Sequence, residues 1–539
     1  MYVLGIHGSF GRADHDAAAA LIHNDRIVAA AEEERFIRYK HAVGLMPDHA
    51  IRYVLSAAEI DIHDVDVIAF PRATWRDFVP RLQAYLNYQF GHVPVIELVD
   101  HHLAHAASAY LISGFDDALV VTADQAGDGV SAGVYRAAGT VIAPIETVAF
   151  PDSIGLFAAA MTQYLGYRSQ HDEFKVMGLA AHGTPQDTHP LLRVEGGLPK
   201  LDTTLLHREV LHRHPVFHTD QLPMVGVDEL PGLPPRRQPG GHLTPGHADV
   251  AATTQSTIEA AVHALVARHR QPGDVRLCVA GGVMENSVAL GKVVAQAGFS
   301  EVYAGPASGD AGTALGAALL VAAANGHRPA RLEDARLGPR FADSAIEAVL
   351  RDCGATYGVT DDPAYTAADL LAQGKVVAWF QDRMEFGPRA LGARSLLADP
   401  ARAGTRAQVN RIKRREQFRP FGPSILAEQC GELFGREGLR APFMSFTLPT
   451  ARQEPIAAAT HVDGTSRPHT VAAGDGLYRR LLEQFHAMTG VPAVLNTSMN
   501  SGWEPIIAEP AHALAFLHSS SADALIIGSY VVTKPGRPG

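Results

Sequence analysis

The first thirty residues predict a β-strand, a glycine-containing loop and a β-hairpin in succession. Residues 2–6 are a short apolar run typical of a buried strand, and Gly8 and Gly11 lie in the loop behind it. Residues 17–22 and 27–31 then predict two strands that pair across an Asn-Asp turn. This order of elements limits the possible folds because it occurs again further along the chain.

The second copy begins after residue 117. Residues 118–123 predict a strand and residues 124–129 a Gly-rich loop, and two further strands at 131–136 and 141–146 pair across Ala-Gly. A strand, a phosphate-type loop and a hairpin that occur twice are typical of the duplicated ribonuclease-H-like ATPase (ASKHA) fold. Hairpins and Gly-rich loops also recur by chance, and the shared order favours the duplication.

Two histidines one helical turn apart predict a metal site. Asp100 can cap a helix that starts with His101, which places His101 and His105 on one face. That spacing lets both imidazoles reach one divalent cation, and Asp124 and Asp310 from two Gly-containing loops can complete the ligand set. Since most of the 27 histidines need no ligand role, the two loop aspartates carry this prediction.

Glycines near these aspartates predict a nucleotide beside the metal. Gly281 and Gly282 stand between an apolar strand and a helix start, where backbone N–H groups can approach a phosphate or a ribose. A glycine pair is also common in ordinary tight turns, and its place shortly before Asp310 favours the nucleotide. The predicted nucleotide-binding residues are Gly127, Asp128, Gly281, Gly282 and Asn286.

The chain changes character near residue 340, which predicts a first domain over residues 1–340 and a second over 341–539. Within the first, residues 190–247 are rich in Pro, His and Gly, which predicts a loop-rich insertion that is either part of an acceptor pocket or a mobile connection. The second contains a dense cationic run at 411–421. Such a run suits a small, multiply charged anion, although it also occurs on solvated faces and in nonspecific nucleic-acid binders.

Composition argues against several classes of protein. There are 46 Lys and Arg against 57 Asp and Glu, and the net charge of -11 disfavours a nucleic-acid partner. The three widely spaced cysteines exclude a disulfide framework and a cysteine zinc site. The longest apolar tract, residues 313–324, is too short to cross a bilayer, and no signal peptide is recognised at the start. We therefore expect a cytoplasmic protein that binds neither membrane nor nucleic acid; its oligomeric state cannot be read from the sequence.

Several motifs taken together resemble those of the NodU/CmcH-type O-carbamoyltransferase family. They include Glu-Phe-Gly-Pro-Arg-Ala-Leu-Gly at 385–392 and Asn-Thr-Ser-Met-Asn at 496–500, and they lie in the family's order over nearly the whole chain. The full set is residues 15–19, 33–41, 101–108, 175–180, 305–318, 385–392, 462–465 and 496–500. Three departures, at Ala18, Met499 and Ser-Gly-Trp 501–503, concern details of the acceptor rather than the reaction.

The resemblance implies an α/β protein in which a domain like the tRNA threonylcarbamoyl-transfer ATPase is fused to a YrdC-like α/β domain. Such enzymes carbamoylate a hydroxyl of a small molecule, often a secondary metabolite, using carbamoyl phosphate and ATP. The YrdC-like domain would make carbamoyl adenylate, and the first domain would transfer its carbamoyl group. The family's carbamoyl phosphate-binding positions match Arg389, Lys413, Arg419, Ser498 and Asn500.

The resemblance also implies a metal at His101, His105, Asp124 and Asp310, iron(II) in the family, while the nitrogen and oxygen ligands suit Mn or Zn as well. Mg is expected to accompany ATP. The acceptor hydroxyl needs a base or a positioned hydrogen bond, and His15 is the catalytic candidate together with Lys40. A structural loop residue is the alternative for His15.

Two other classes of protein compete with a carbamoyltransferase. A tRNA threonylcarbamoyl-type modification enzyme shares the domain types, but the net acidity and the fused second domain speak against it. A non-catalytic ATP-binding module of the actin or chaperone kind leaves the cationic domain and the two histidines without a purpose. The motifs do not identify the acceptor.

Overall fold

The computed structural model describes residues 1–11, 14–74, 77–208, 225–227 and 229–534. They fall into two compact units. The first comprises Met1–Ile37 and His41–Leu332, and the second comprises Arg38–Lys40 and the chain from Glu333 onward. Part of the insertion predicted at 190–247, namely residues 209–224 and 228, lies outside the described residues.

The first sheet of the first unit has five strands in the order β3-β2-β1-β4-β5. The strands are β1 (Tyr2–His7), β2 (Ala18–His23), β3 (Arg26–Glu32), β4 (Val67–Phe70) and β5 (Val95–Leu98). β1, β2 and β3 are antiparallel, whereas β4 and β5 run parallel to β1. β1 is buried along almost its whole length, which agrees with its continuous apolar sequence.

The second sheet repeats this arrangement. This sheet contains β6 (Asp117–Gly127), β7 (Val130–Ala138), β8 (Val141–Ala149), β13 (Arg276–Ala280) and β14 (Glu301–Ala304). Between β8 and β13 the chain forms two separate short hairpins, β9 (Leu192–Glu195) with β10 (Leu198–Leu201) and β11 (His207–Arg208) with β12 (Val225–Gly226). The order is β14-β13-β6-β7-β8, with β13 and β14 parallel to β6. Both sheets thus have three antiparallel strands followed by two parallel ones, which confirms the duplicated ribonuclease-H-like fold.

A helix of small residues packs tightly against the first sheet. The helices of this unit are α1 (Glu34–Ile37), α2 (Asp48–Ala57), α3 (Phe78–Phe90), α4 (His101–Tyr110), α5 (Ile154–Tyr164), α6 (Glu173–Ala180), α7 (Pro245–His269), α8 (Ser287–Gln296) and α9 (Ala311–Ala324). A Cβ atom on Gly5 of β1 would lie 1.8 Å from the carbonyl oxygen of Ala314, and one on Gly316 would lie 1.9 Å from that of Ala104. These glycines therefore allow α9 to pack directly on β1 and α4, which fixes the first turns of α4 and α9 beside each other.

The second unit is an α/β unit built on a mixed eight-stranded sheet in the order β15-β24-β23-β16-β17-β22-β18-β21. The strands are β15 (Tyr357–Val359), β16 (Val377–Phe380), β17 (Arg394–Ala398), β18 (Gly422–Leu426), β19 (Leu448–Pro449), β20 (Thr465–Ser466), β21 (His469–Val471), β22 (Ala493–Ser498), β23 (Ala524–Ile527) and β24 (Tyr530–Thr533), of which β19 and β20 form a separate pair. The helices are α10 (Asp343–Asp352), α11 (Pro363–Ala372), α12 (Thr405–Ile412), α13 (Cys430–Phe434), α14 (Gly476–Thr489) and α15 (Pro510–Ser519).

Helices cover both faces of this sheet, and β16 shows why. Val377 and Trp379 belong to one core, which includes residues of α11 and α14, whereas Ala378 and Phe380 belong to the other, which includes residues of α10 and α15. Because successive side chains of a strand point to opposite faces, a strand buried on both faces must be apolar throughout. The described chain has no helix that is long and apolar enough to span a membrane.

Candidate functional site

Four side chains of the first unit converge where α4, β6 and α9 meet. His101 and His105 lie in the first two turns of α4, Asp124 lies on β6, and Asp310 directly precedes α9. One ligand atom from each residue lies within 4.8 Å of the others. The Nε2 atom of His105 is 3.0 Å from Asp124 Oδ2 and 3.3 Å from Asp310 Oδ1. The structure thus brings together all four predicted metal-binding residues.

The geometry and the donor atoms of this cluster fit a divalent cation. The Nε2 atom of His101 is 3.1 Å from that of His105 and 3.5 Å from both carboxylates. Asp310 Oδ1 is buried and has no hydrogen-bond partner among the described residues. Burial tends to lower the pKa of His105, but the two carboxylates outweigh it and raise that pKa to about 9. A positive charge is therefore favoured at this place, and two imidazoles with two carboxylates suit a transition metal.

Asp128 holds the start of α4 in place. Its Oδ2 atom accepts hydrogen bonds from the backbone N–H groups of His101 and Ala73, both at 3.0 Å, and its Oδ1 atom accepts one from that of Thr74 at 3.1 Å. Burial tends to raise the pKa of Asp128, but a hydrogen bond from the Thr74 hydroxyl and these three backbone hydrogen bonds lower it. The Asp128 carboxylate, predicted to bind nucleotide, is thus engaged by protein donors that position His101.

All three predicted nucleotide-binding glycines lie against the predicted metal ligands or beside them. A Cβ atom on Gly127 would lie 2.0 Å from Cδ2 of His101, and one on Gly282 would lie 3.0 Å from Oδ1 of Asp124. Gly281 has a φ of +99°, and a Cβ atom there would lie 2.1 Å from the carbonyl oxygen of Ala123. The backbone can approach the cluster this closely because glycine stands at these positions.

Asn286 lies further along and is engaged within the protein. Its Oδ1 atom accepts from the backbone N–H of Ala289 at 3.0 Å and so caps α8. Its side-chain amide also exchanges two hydrogen bonds with that of Gln255 on α7, at 2.8 and 3.0 Å. The side chain of Asn286 thus ties α8 to α7.

His15 lies beside a carboxylate. Its Nδ1 atom is 2.8 Å from Oδ2 of Asp16, and Oδ1 of Asp16 is 2.7 Å from Nδ1 of His41. Burial tends to lower the pKa of His15, but Asp16, with further contributions from Asp310 and Asp124, raises it to about 10. The charge of the predicted metal ligands therefore acts on the imidazole of His15.

His7, which is not among the residues predicted from the sequence, also reaches the cluster. It is fully buried at the end of β1, with Nε2 3.7 Å from Asp310 Oδ2 and 3.1 Å from the carbonyl oxygen of His15. Burial lowers its pKa to about 4. The available signal was a histidine at the end of an apolar strand, just before the first Gly-containing loop.

Lys40 belongs to the second unit, whereas His15 belongs to the first. The neighbouring Arg38 donates to the carbonyl oxygens of Pro505 at 2.8 Å and Ile506 at 2.6 Å. The charge of Lys40 is among those that lower the pKa of Lys413. The structure thus places Lys40 near the predicted carbamoyl phosphate-binding residues.

Three of those predicted residues contact one another. The Nζ atom of the buried Lys413 donates to the backbone oxygens of Ser498 and of Asn500, the latter at 3.0 Å, and to Oδ1 of Asn500 at 2.7 Å. Ser498 Oγ also donates to Asn500 Oδ1 at 2.7 Å. Burial, followed by the charges of Arg415 and Arg419, holds the pKa of Lys413 well below its usual range.

Arg419 and Arg389 are both half-buried. Arg419 lies 3.7 Å from Glu416, and its charge acts on both Lys413 and Arg415. Arg389 lies in the loop before β17. Glu385, which is not among the predicted site residues, shapes that loop. Its Oε1 atom accepts hydrogen bonds from the backbone N–H groups of Leu391 and Ala393, both at 2.7 Å.

A duplicated ribonuclease-H-like unit with a cluster of two histidines and two aspartates, followed by an α/β unit with clustered cations, defines an enzyme of the ASKHA structural class. The family model described as the N-terminus of carbamoyltransferases matches residues 3–87 and 83–319, and the one described as the C-terminus matches residues 368–534. The chain therefore belongs to the carbamoyltransferase family and is an enzyme of that kind, as the resemblance implied.

Curated relatives agree with this assignment. The chain is 36% identical to the nodulation protein NolNO of Sinorhizobium fredii, over 96% of this chain and 79% of that protein. It is 38% identical to the nodulation protein NolO of Bradyrhizobium diazoefficiens, over 81% and 79%. A 3'-hydroxymethylcephem-O-carbamoyltransferase of Amycolatopsis lactamdurans is 35% identical over 49% of this chain and 50% of that protein.

Proposed function

We propose that this enzyme is an ATP-dependent O-carbamoyltransferase with two reaction steps. The second unit would form carbamoyl adenylate from carbamoyl phosphate and ATP, and the first would transfer the carbamoyl group to a hydroxyl of a small molecule. The observation that carries the proposal is the convergence of His101, His105, Asp124 and Asp310 within 4.8 Å, which suits a cation that binds nucleotide phosphate. A tRNA-modifying function is not favoured, because the carbamoyltransferase models match both units.

The cationic residues of the second unit support the first step. Burial, and then the charges of Arg415 and Arg419, lower the pKa of Lys413; burial, and then the charge of Arg419, lower the pKa of Arg415. Like charges held together in a buried place are costly unless an anion joins them, and the phosphates of ATP and carbamoyl phosphate are suitable anions. We assign Arg389, Lys413, Arg419, Ser498 and Asn500 to this site, and we add Lys40.

The first step has two parts. Water releases phosphate from carbamoyl phosphate and leaves carbamate. A carbamate oxygen then forms a bond to the α-phosphorus of ATP, and the bond to the β-phosphate breaks with loss of pyrophosphate. Several cations are useful here because negative charge is spread over the phosphates during the exchange, and Mg would accompany ATP.

The first unit would carry out the transfer step. His101, His105, Asp124 and Asp310 would hold a divalent cation, which we propose to be iron(II), with Mn or Zn as alternatives that the same ligands accept. When bound, it supplies positive charge for the nucleotide phosphate. Gly127, Gly281 and Gly282 would let the backbone approach the phosphates and ribose closely, while Asp128 and Asn286 hold the surrounding backbone.

His15 would position the acceptor hydroxyl. With a pKa of about 10, its imidazole is protonated at neutral pH, which favours a donated hydrogen bond over general-base catalysis. Nδ1 is bonded to Asp16, so Nε2 is the atom available to a ligand. The acceptor oxygen forms a bond to the carbamoyl carbon, the bond from that carbon to the AMP phosphate oxygen breaks, and the hydroxyl proton passes to AMP.

The acceptor would be a small hydroxylated molecule, and we propose a secondary metabolite. The printed name of the Amycolatopsis relative describes transfer to a hydroxymethyl group of a cephem. Its similarity covers about half of this chain, so the proposal extends to the class of acceptor, a primary or secondary alcohol, and not to that compound.

The first step can be tested without knowing the acceptor. Phosphate and pyrophosphate release from ATP plus carbamoyl phosphate is measured in the wild type, in Arg419→Ala and in Arg411→Ala, whose side chain is exposed on α12. We expect the wild type and Arg411→Ala to release both products and Arg419→Ala to release neither. This result would support adenylate formation in the second unit. Equal release by both variants would contradict the assigned site.

A further inference from the structure

One carboxylate of the first unit is shared by two imidazoles. Asp16 Oδ2 is 2.8 Å from Nδ1 of His15, and Asp16 Oδ1 is 2.7 Å from Nδ1 of His41. The two rings are nearly perpendicular, with centroids 6.2 Å apart. We propose that Asp16 and His41 are positioning residues for His15, in that His41 fixes the Asp16 carboxylate and thereby the ring of His15. This inference rests on the role proposed above for His15.

The backbone of this group is held in an uncommon conformation. Asp16 has a φ of 63° and His41 a φ of 65°, both in the left-handed region that side chains other than glycine seldom adopt. The N–H of Asp16 donates to the carbonyl oxygen of His41 at 2.6 Å, and the N–H of His41 donates to Oε2 of Glu34 at 2.6 Å. Such conformations persist where the surroundings enforce them, commonly at functional sites.

The contacts indicate that His41 acts through Asp16. Its Nε2 atom is buried and has no hydrogen-bond partner in the described part of the chain, so the Nδ1 contact with Asp16 is the polar contact that its ring makes there. A carboxylate bound at one oxygen can rotate, whereas one bound at both oxygens has a fixed plane. The fixed plane directs Nδ1 of His15 to Oδ2 and leaves Nε2 of His15 for the ligand.

The other ionisable groups around His41 do not compete for Asp16. His171 lies edge-on to His41 with centroids 4.6 Å apart, and burial lowers its pKa to about 4, so it stays neutral. Glu34 is paired with Arg35 at 3.3 Å. Asp172 acts on His171, and the buried Glu173 has a raised pKa because of burial. Asp16 is therefore the carboxylate that is hydrogen-bonded to both imidazoles.

The ligand atoms of Asp16, Glu34 and His41 also lie within 4.8 Å of one another, which is close enough for a cation. However, Oδ1 of Asp16 and Oε2 of Glu34 already accept hydrogen bonds from His41. A network with satisfied hydrogen bonds favours the positioning role. A cation bound at these three residues would overturn the positioning role.

Proton NMR of the whole enzyme tests the proposal, because imidazole Nδ1–H groups bonded to a carboxylate give downfield signals that exchange slowly with water. His15→Gln and His41→Ala assign the two signals, and Asp16→Asn should remove both. In His41→Ala we expect the His15 signal to exchange at least about tenfold faster, because Asp16 is then free to rotate. His171→Ala, which alters the same pocket but no bond to Asp16, should leave it unchanged.

His41→Asn separates positioning from other roles. The amide nitrogen of Asn can occupy the place of the imidazole Nδ1 and donate to Asp16, so the slow His15 signal should be retained. An unchanged His15 signal in His41→Ala, or its loss in His41→Asn, would overturn the proposal. Stoichiometric Mn²⁺ could instead broaden both signals in the wild type. If the same broadening occurs in His105→Ala, which lacks a ligand of the other cluster, a cation is bound at Asp16, Glu34 and His41.

The NMR outcome can be told apart from a failure of the proposed function. Pyrophosphate release is proposed for the second unit, so His171→Ala should release it at the wild-type rate. If the wild type releases none, the proposed reaction fails while the NMR result still decides the role of His41. If release is normal and the His15 signal is unaffected in His41→Ala, the positioning role alone fails.

Discussion

The Nε2 atoms of His101 and His105 face each other at 3.1 Å, one helical turn apart on α4. Both also lie within 3.5 Å of Asp124 and of Asp310. Nitrogen atoms this close, beside two carboxylates, require a shared proton or a cation. The cation is the simpler account, since it satisfies both imidazoles and the buried Asp310 Oδ1 together.

His105→Ala and Asp310→Asn should each lower the affinity for a divalent metal by at least about a hundredfold, because each removes a direct ligand. Metal content after dialysis and titration calorimetry with Mn²⁺ measure this. His102→Gln is the matched control: His102 is buried beside both ligands but bonds to Thr122 at 2.9 Å and to the carbonyl oxygen of Val130 at 3.0 Å. Equal loss of metal in the control would contradict the ligand set.

Gly127→Ala should also weaken metal binding without removing a ligand. Its Cβ atom would lie 2.0 Å from the His101 ring, which must then move away from the cluster. We expect a loss of about tenfold or more in metal affinity, comparable to the loss of an outer-sphere support. Gly129→Ala, two residues away in open space, should retain the wild-type affinity even though its φ of +83° costs about 1 kcal/mol of stability.

Asp16→Asn should destabilise the protein in a pH-dependent way. The folded-state pKa of His15 is raised from 6.5 to about 10, so the folded state binds the extra proton between these values. The stability from this pair is therefore fully present below pH 6.5 and is lost as the pH rises through about 10. Urea unfolding at pH 6 should show a loss of about 1.5–3 kcal/mol in the variant.

The difference in unfolding free energy between wild type and Asp16→Asn should shrink steadily from pH 6.5 toward pH 10. A difference that is constant over this range would mean that the His15 imidazole does not carry the proton. Ser56→Ala, which replaces an exposed and uncharged side chain on α2, is the control for the urea series.

Lys413→Met should abolish the first reaction step while leaving the fold intact. Removing a charged donor from a phosphate site costs about a hundredfold or more in rate. Replacing a buried charge by an apolar side chain of similar length changes stability by only about 1–2 kcal/mol, because its desolvation cost is removed too. Pyrophosphate release and thermal unfolding measure the two effects, with Arg411→Met as the exposed control. Substantial release by Lys413→Met would exclude it from the site.

Local patterns predicted the parts of the fold that depend on neighbouring residues. The two strand–loop–hairpin copies could be read because alternation, turn residues and apolar runs act over short distances. His101 and His105 could be paired because helical periodicity places them on one face. In contrast, the order of the eight strands in the second unit depends on crossovers between distant segments, which no local pattern specifies.

The contacts that the sequence could not predict are long-range. Asp128 is predicted to bind nucleotide, and in the fold its carboxylate also accepts hydrogen bonds from Ala73, Thr74 and His101. Lys40 is predicted beside His15 from the order of the family's motifs, and it belongs to the second unit, whereas His15 belongs to the first. His7 was not selected because its partner, Asp310, lies about three hundred residues away.

Whether carbamoyl adenylate is the intermediate is tested most directly by incubating the wild-type enzyme with ¹³C-carbamoyl phosphate and ATP and identifying the products by mass spectrometry. We expect pyrophosphate, phosphate and a ¹³C-labelled carbamoyl group attached to AMP, with the amount of this adduct reduced in Lys413→Met. Formation of ADP in place of pyrophosphate, or consumption of carbamoyl phosphate without any turnover of ATP, would contradict it.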